Sequence, residues 1–194
     1  MRIDQLAEAA GLSAPRRYAV DWERAERELG TRLPADYKEY VYWFGPGCFD
    51  DYLFVAVPGI ENANVELGGL LRNEQVLIAS LSELSGTPVL LPVHPEPSGW
   101  LPWGRTSNGD VLYWVVSSED PDQWKIAGRP GRGLDLGHFD AGFADFIHAF
   151  VWDTVDLHFI AETDSEVPIT FEPTPGEWRG SGEQLQPYGR FESE

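Results

Sequence analysis

Residues Trp100 to Val116, which read WLPWGRTSNGDVLYWVV, carry the strongest structural signal in the chain. Two segments rich in apolar and aromatic residues flank the dipeptide Asn108-Gly109, and both residues of that dipeptide tolerate a positive φ. A two-residue turn with positive φ matches the twist of paired antiparallel strands. The stretch therefore predicts a β-hairpin in the middle of the chain.

Short apolar runs on both sides of this hairpin extend the prediction to a sheet. Gly, Pro, Asn and Ser bound each run, which is typical of strands. The runs with this pattern are Tyr52–Val57, Gln75–Ser80, Pro88–Val93 and Trp124–Ala127. Farther along, Val155–Phe159 alternates apolar and polar side chains, as an edge strand does. Val167–Phe171 is a candidate for one more strand.

Helical spacing marks both flanks of the strand region. Apolar residues recur every three or four positions in 2–10, after the N-cap candidate Asp21, and after Pro34. The last helix is expected to begin at the N-cap candidate Asp140. Its inward stripe is predicted to consist of Phe143, Phe146, Ile147 and Phe150.

This order of elements predicts an α+β fold. N-terminal helices lead into a central, mostly antiparallel β-sheet, and a C-terminal helix packs on the sheet. We assign the chain to an N-terminal helical extension, an α+β domain and an acidic C-terminal extension with Pro and Gly, at residues 1–20, 21–160 and 161–194. From Glu172 onward we expect loose packing, held at most by Trp178 or Tyr188.

The chain is strongly acidic, with 14 Lys and Arg against 32 Asp and Glu and a formal net charge of −18. This balance argues against binding to nucleic acid or to an anionic membrane, because both select for clustered basic side chains. Residues 1–32 hold six basic and six acidic side chains. The excess negative charge therefore lies beyond the first helices.

The cellular compartment follows from cysteine content and hydropathy. Cys48 is the single cysteine, which excludes an intramolecular disulfide and fits a reducing compartment. The segment after Arg2 is amphipathic and lacks the apolar core of a signal peptide. The longest uncharged apolar run, Tyr52–Ile60, is too short to cross a bilayer. We expect a soluble cytoplasmic protein.

Two acidic loops and one acid in the hairpin turn are the candidates for partner contacts. They are Asp50 and Asp51, then Glu119, Asp120 and Asp122, and finally Asp110. Paired carboxylates can bind a metal or serve acid–base chemistry. However, the second loop lacks the Gly and the terminal Glu of a calcium loop. Adjacent loop acids are more often solvated charge, and both loops suit contacts with Lys and Arg of a partner.

The densest aromatic cluster consists of Trp100, Trp103, Tyr113 and Trp114. Such side chains can stack on a sugar or base, or anchor a protein partner. The alternative, which we favour, is that Trp103 and Trp114 fill the core. Trp100 is then the best surface candidate of the four.

No catalytic or cofactor motif is present in the sequence. It lacks Gly-x-Ser-x-Gly, a phosphate loop and a dinucleotide fingerprint. No zinc spacing is matched by the four histidines, His94, His138, His148 and His158. Cys48 has no diagnostic histidine partner. We expect no catalytic residue, no metal and no cofactor.

The most specific combination of residues is Glu26-x-x-Leu29-Gly30-x-x-Leu33-Pro34-x-Asp36-Tyr37-Lys38-Glu39-Tyr40, followed by the turn Gly45–Gly47. Later come Leu101-Pro102-Trp103-Gly104, Asn108-Gly109-Asp110 and a helix with Phe143, Phe146 and Ile147. This order resembles the SUKH superfamily, which includes the fungal cell-wall-synthesis regulators and many bacterial relatives. The resemblance extends over roughly residues 20–150.

The resemblance implies a binding module without catalytic residues. Bacterial members look like immunity proteins, each of which neutralises a polymorphic toxin by direct binding. The toxin is often a nuclease with a basic active site, which an acidic surface would approach under electrostatic steering. Two alternatives stay open. One is a regulatory scaffold or adaptor that binds through the tail after Glu172; the other is a glycan or small-molecule binder using Trp100, Trp103, Asp50, Asp51 and Asp110.

Overall fold

The computed structural model describes residues 2–60, 62, 65–87, 89, 91–133, 135–161, 166–173 and 188–192. The helices are α1 Ile3–Ala9, α2 Trp22–Leu29, α3 Ala35–Phe44, α4 Leu67–Ser85 and α5 Phe143–Val151, with one 3-10 turn at Pro121–Gln123. The strands are β1 Tyr18–Val20, β2 Gly47–Phe49, β3 Leu53–Val55, β4 Trp100–Thr106, β5 Val111–Val115, β6 Lys125–Arg129, β7 Gly137–Phe139, β8 Phe171–Pro173 and β9 Gly189–Phe191.

Within the described residues, seven strands form one antiparallel sheet in the order β7-β6-β5-β4-β3-β2-β8. This confirms the α+β class. The predicted hairpin is formed by β4 and β5, in which Trp100 pairs with Val115 and Arg105 pairs with Val111. The register shifts between Pro102 and Gly104.

One face of the sheet carries the aromatic core. Trp103 lies 4.9 Å from the ring of Phe143 and 5.4 Å from that of Phe146. From α3, Tyr37 packs edge-on against Trp114 at 4.9 Å. The helical spacing predicted after Pro34 and the inward stripe predicted for the last helix are confirmed. The buried residues are Tyr37, Tyr40, Val41 and Phe44 of α3 and Phe143, Phe146, Ile147 and Phe150 of α5.

The opposite face is covered by α4, and here the prediction of a strand at Gln75–Ser80 is wrong. Those residues lie inside the 19-residue helix α4, which Glu66 caps and Gly86 ends in the left-handed region. A buried ion pair fastens α4 to the sheet: Arg129 Nη2 of β6 lies 3.0 Å from Glu74 Oε1. Tyr113 of β5 completes the network, since its hydroxyl donates to Glu74 and accepts from Arg129 Nε at 3.2 Å.

Three other boundaries differ from the sequence prediction. The last helix is capped by Gly142 instead of Asp140. Val155–Phe159 forms turns and irregular backbone rather than a strand. In the described part of 88–93, strand pairing is limited to a bridge between Val93 and Trp100. Asp21 is confirmed as the N-cap of α2, whereas Pro34, expected in the first turn of the next helix, is the N-cap of α3.

Both segments assigned as extensions contact the α+β domain. Helix α1 buries Ile3, Leu6 and Ala7 and packs on α3 and α5. Strand β8 continues the sheet beside β2, and β9 pairs with β1. Tyr188 lies beneath the Arg24 guanidinium at 4.5 Å, whereas Trp178 lies outside the described residues. Among the described residues, no helix combines the length and apolar character needed to cross a membrane.

Candidate functional site

The predicted contact residues lie at two opposite ends of the sheet. Asp50 and Asp51 form the turn between β2 and β3, and Asp110 precedes β5 at the same end. The acids of the loop 119–122 lie between β5 and β6, at the other end. The seven residues of β4 span the distance between the ends, roughly 20 Å at about 3.3 Å per residue. The set therefore splits into two groups.

The prediction that Trp100 lies on the surface is wrong. Its side chain is only 7% exposed, and its ring lies 5.5 Å from Tyr113 and 5.4 Å from His138. The reason is α4, which covers β4 on this face. Tyr113 and Trp114 are neighbours in β5, so their side chains point to opposite faces of the sheet. Both are nevertheless buried, because helices cover both faces.

Trp103 and Trp114 belong to the core, as predicted, and each is fully buried. The glycan-binding alternative depended on an exposed platform at Trp100 and Trp103. Because both indoles are buried, this alternative loses its aromatic surface.

Asp110 is also buried, at 4% exposure, so it does not offer a surface contact. Its carboxylate accepts hydrogen bonds from the Thr106 hydroxyl and, at 2.8 Å, from the Gly131 N–H. The Tyr52 hydroxyl donates to it at 3.5 Å. Asp110 thus joins the turn of the central hairpin to neighbouring loops. Its role is structural, and the sequence, which shows only that it lies in a turn, did not predict this.

At the opposite end, Asp122 has a defined partner. Pro34 occupies the N-cap of α3 and has no side-chain acceptor. The missing acceptor comes from Asp122, whose Oδ1 receives the Ala35 N–H at 2.7 Å. The loop is held in place by Arg32, which donates to the Glu119 carbonyl at 3.1 Å, and by Asp120, which accepts from the Asp122 N–H at 3.2 Å.

Helix α5 is capped in the same way by a residue of α3. Gly142 at its N-cap has no side chain to cap with, and Asp36 Oδ2 accepts the Ala144 N–H at 2.9 Å. Burial raises the pKa of the Asp36 carboxyl, and the charges of Asp122 and Asp145 raise it further, against the lowering effect of its N–H donors. The carboxylates of this end therefore repel one another.

We define the acidic edge as Asp36, Glu119, Asp120, Asp122, Asp140 and Asp145. All are exposed except Asp36, which is half-buried. Among the residues that the structure describes, two cations lie beside these acids: Arg32 contacts the Glu119 carbonyl, and Lys125 Nζ is 3.5 Å from Asp140. Because the six acids outnumber these two cations, this end of the molecule carries a net negative charge.

Sequence reasoning missed half of the acidic edge. Asp36 and Asp145 each lie in the first turn of a helix whose N-cap residue, Pro34 or Gly142, provides no side-chain acceptor. A helix N-terminus attracts negative charge. An acid in the first turn after such an N-cap residue can therefore be predicted from the sequence to lie at the helix N-terminus. Asp140, which the sequence predicts as the cap of the last helix, has a side chain that is 97% exposed.

At the other end of the sheet, Cys48, Asp51 and Glu172 bring potential metal-ligand atoms within 4.8 Å of one another. Asp50 and Asp51 adopt φ of 52° and 50° in the turn that presents them. Burial, followed by the charge of Asp51, raises the pKa of the Cys48 thiol to about 11. The thiol is protonated at neutral pH, so it is a weak nucleophile, and a metal ion would have to displace its proton.

A cleft of about 380 Å³ lies between α2, the start of α4 and Tyr188. Its charged lining includes both signs, with Arg24 and Arg72 beside Glu28 and Glu66. Glu66 is buried, and its carboxylate accepts the Gly69 N–H at 2.6 Å as the cap of α4. Burial raises the pKa of this carboxyl. The N-terminus of α4, which lines the cleft, is therefore already occupied by the side chain of Glu66.

The residues that carry the SUKH resemblance have structural roles. Gly30 ends α2 with a φ of 74°. Glu26 accepts the Leu33 N–H at 2.8 Å and pairs with Lys38 at 2.6 Å. The Tyr37 hydroxyl donates to the Ala56 carbonyl at 2.6 Å. The motif therefore builds the α2–α3 corner that presents Asp36.

Comparison of the chain with protein families, with curated proteins and with solved structures found no match.

Proposed function

We propose that the chain is a non-catalytic protein-binding module of the SUKH type, and that it acts in the cytoplasm as an immunity protein against a cognate toxin. The observation that carries the proposal is the acidic edge, which within the described part of the chain combines six carboxylates with two cations. A basic protein, such as a nuclease with its phosphate-binding active site, has the complementary charge.

Part of the acidic edge is held in place, which suits it to receive Lys and Arg. Asp36 and Asp122 are fixed by the N–H groups of Ala144 and Ala35. Side chains that are already ordered lose less conformational entropy on binding. The mutual repulsion that helps to raise the pKa of Asp36 is relieved when a partner brings positive charge.

The net charge of −18 adds a long-range effect to these contacts. A basic partner is drawn toward the chain before contact, which raises the association rate at low ionic strength. A toxin that must be neutralised quickly inside its own cell is the kind of partner for which fast association matters.

The proposal is tested with the protein encoded by the adjacent gene. We expect that gene to encode a toxin-like protein whose toxin domain co-purifies with the tagged chain and is neutralised by it on co-expression. Glu119→Lys combined with Asp140→Lys is expected to abolish neutralisation. Glu8→Lys, an exposed charge reversal on α1 outside the acidic edge, is the matched control and should retain it.

Two results contradict the proposal. The first is an adjacent gene without a toxin-like product, together with no toxin domain in the purified material. The second is neutralisation that survives the double reversal at the acidic edge, since binding would then use a different surface.

A further inference from the structure

The outer side of α5 carries an exposed tryptophan. Trp152, the C-cap residue of this helix, is 47% exposed. Asp145 precedes it by seven residues, about two helical turns, and the half-buried His148 lies between them in the chain. Residues at this spacing share one side of a helix. We call Asp145, His148 and Trp152 the α5 face.

The α5 face continues the acidic edge, because Asp145 lies in the first turn of α5 and belongs to both surfaces. At about 1.5 Å per residue, Trp152 lies roughly 10 Å farther along the helix. A partner that covers the acidic edge therefore has to extend by only two helical turns to reach the indole. A contact of that length fits within an interface of ordinary size.

The part of the chain around Trp152 is acidic. The described residues 135–161 contain five Asp, and the described residues 166–173 contain two Glu, whereas neither range contains Lys or Arg. Asp153 and Asp156 follow the tryptophan within four residues. Among the residues that the structure describes, no Lys or Arg lies over the Trp152 ring. The indole is therefore an exposed ring in negative surroundings.

The backbone that carries the indole is held in place. The Trp152 N–H donates to the His148 carbonyl at 3.1 Å, and the Asp153 N–H donates to the Phe150 carbonyl at 3.0 Å. The His148 ring lies 6.4 Å from the indole. An aromatic side chain on a fixed backbone loses little conformational entropy when a partner contacts it. Tryptophan is also among the residues that contribute most to binding at protein interfaces.

We propose that the α5 face is part of the partner-binding surface and that Trp152 receives an arginine side chain of the basic partner, an inference that rests on the proposed function. The face of an indole ring attracts cations, and a planar guanidinium stacks on it. The acidic surroundings favour the same charge. They disfavour a second copy of this chain, which carries −18, as well as nucleic acid and anionic membranes.

The first test titrates the full chain at low salt with octa-arginine and octa-lysine, two peptides of equal side-chain charge. We expect Trp152→Ala to weaken the binding of octa-arginine at least about threefold and that of octa-lysine less. Leu84→Ala is the matched control, because it also removes a large exposed apolar side chain, but from α4 on the opposite face of the sheet. This variant should bind both peptides as the natural chain does.

The complex with the toxin domain gives a second readout. Trp152→Ala should raise the dissociation rate at least about fivefold and leave the salt dependence of association unchanged, because a ring contact acts only at short range. Two results would overturn the proposal: octa-arginine binding that is equal in Trp152→Ala and the natural chain, or a dissociation rate that the substitution does not change. Neither result would contradict the proposed function, which is tested by charge reversal at the acidic edge.

Discussion

Asp36 Oδ2 accepts the backbone N–H of Ala144 at 2.9 Å, across 108 residues of sequence. This bond joins the start of α3 to the start of α5. Asp122 Oδ1 makes the equivalent bond to the Ala35 N–H. The two carboxylates that cap these helices therefore also belong to the acidic edge.

Asp36→Ala should destabilise the fold by about 1 kcal/mol, because the substitution removes the cap of α5. Urea denaturation at neutral pH measures the loss. Glu39→Ala in the same helix is the control, since Glu39 is exposed and its replacement should change the free energy of unfolding by less than about 0.5 kcal/mol. Equal effects of the two substitutions would contradict the capping role.

Asp36→Asn should behave differently, and its effect should depend on pH. Burial raises the pKa of Asp36 above the ordinary 3.8, so the folded chain holds this proton more tightly than the unfolded chain. The stabilisation from that proton is full below pH 3.8 and is lost as the pH rises through the raised pKa.

Asparagine keeps an oxygen acceptor for the Ala144 N–H and carries no charge. The free energy of unfolding of Asp36→Asn, relative to the natural chain, should therefore increase as the pH rises from about 3 to about 7. Urea titrations of both proteins at several pH values measure this difference. A difference that stays constant over the range would show that the Asp36 pKa is not raised.

Arg129→Ala should cost about 3–5 kcal/mol, because it leaves Glu74 charged and buried without its partner. The double variant Glu74→Leu, Arg129→Met should cost much less than the sum of the single replacements, since apolar side chains of similar size need no partner. A double-mutant cycle in urea measures the coupling. Additive losses would mean that the pair does not hold α4 to the sheet.

Gly189→Ala should detach β9 from β1. A Cβ at this position would lie 2.3 Å from the Tyr18 hydroxyl and 2.7 Å from the Pro58 carbonyl. Hydrogen exchange of the Asp21 and Glu192 amides, which bond across the two strands, should accelerate. Gly142→Ala is the control, because its Cβ would meet its nearest atom at an ordinary 3.7 Å. Unchanged exchange in Gly189→Ala would contradict the close packing of β9.

The central hairpin and the helix stripes could be predicted because their signals are local. The hairpin turn at 106–110 places its left-handed residue at Gly109, with a φ of 88°, and Asp21 caps the helix that directly follows it. Helix α4 was missed because Gln75–Ser80 looks like a strand when it is taken alone. Its helical character depends on the full 19-residue segment and on packing against Arg129 of the sheet.

The site was predictable in part, for the same reason. Acidity at Glu119 and Asp122 was visible in the sequence, whereas the contribution of Asp36 depends on a contact over 108 residues. Trp100 was misplaced because its burial follows from α4. Asp110 was misplaced because its partners Thr106 and Gly131 meet only in the folded chain.

The most direct test of the proposed function is the association rate of the chain with the toxin domain encoded beside it, measured by stopped flow over a range of salt concentrations. We predict a rate that falls at least about tenfold between about 10 mM and 500 mM salt. Glu119→Lys should lower the rate at low salt and flatten this dependence, while Glu8→Lys should change it far less. An association rate that does not change with salt concentration would contradict binding at the acidic edge. Equal effects of Glu119→Lys and Glu8→Lys on this rate would contradict it as well.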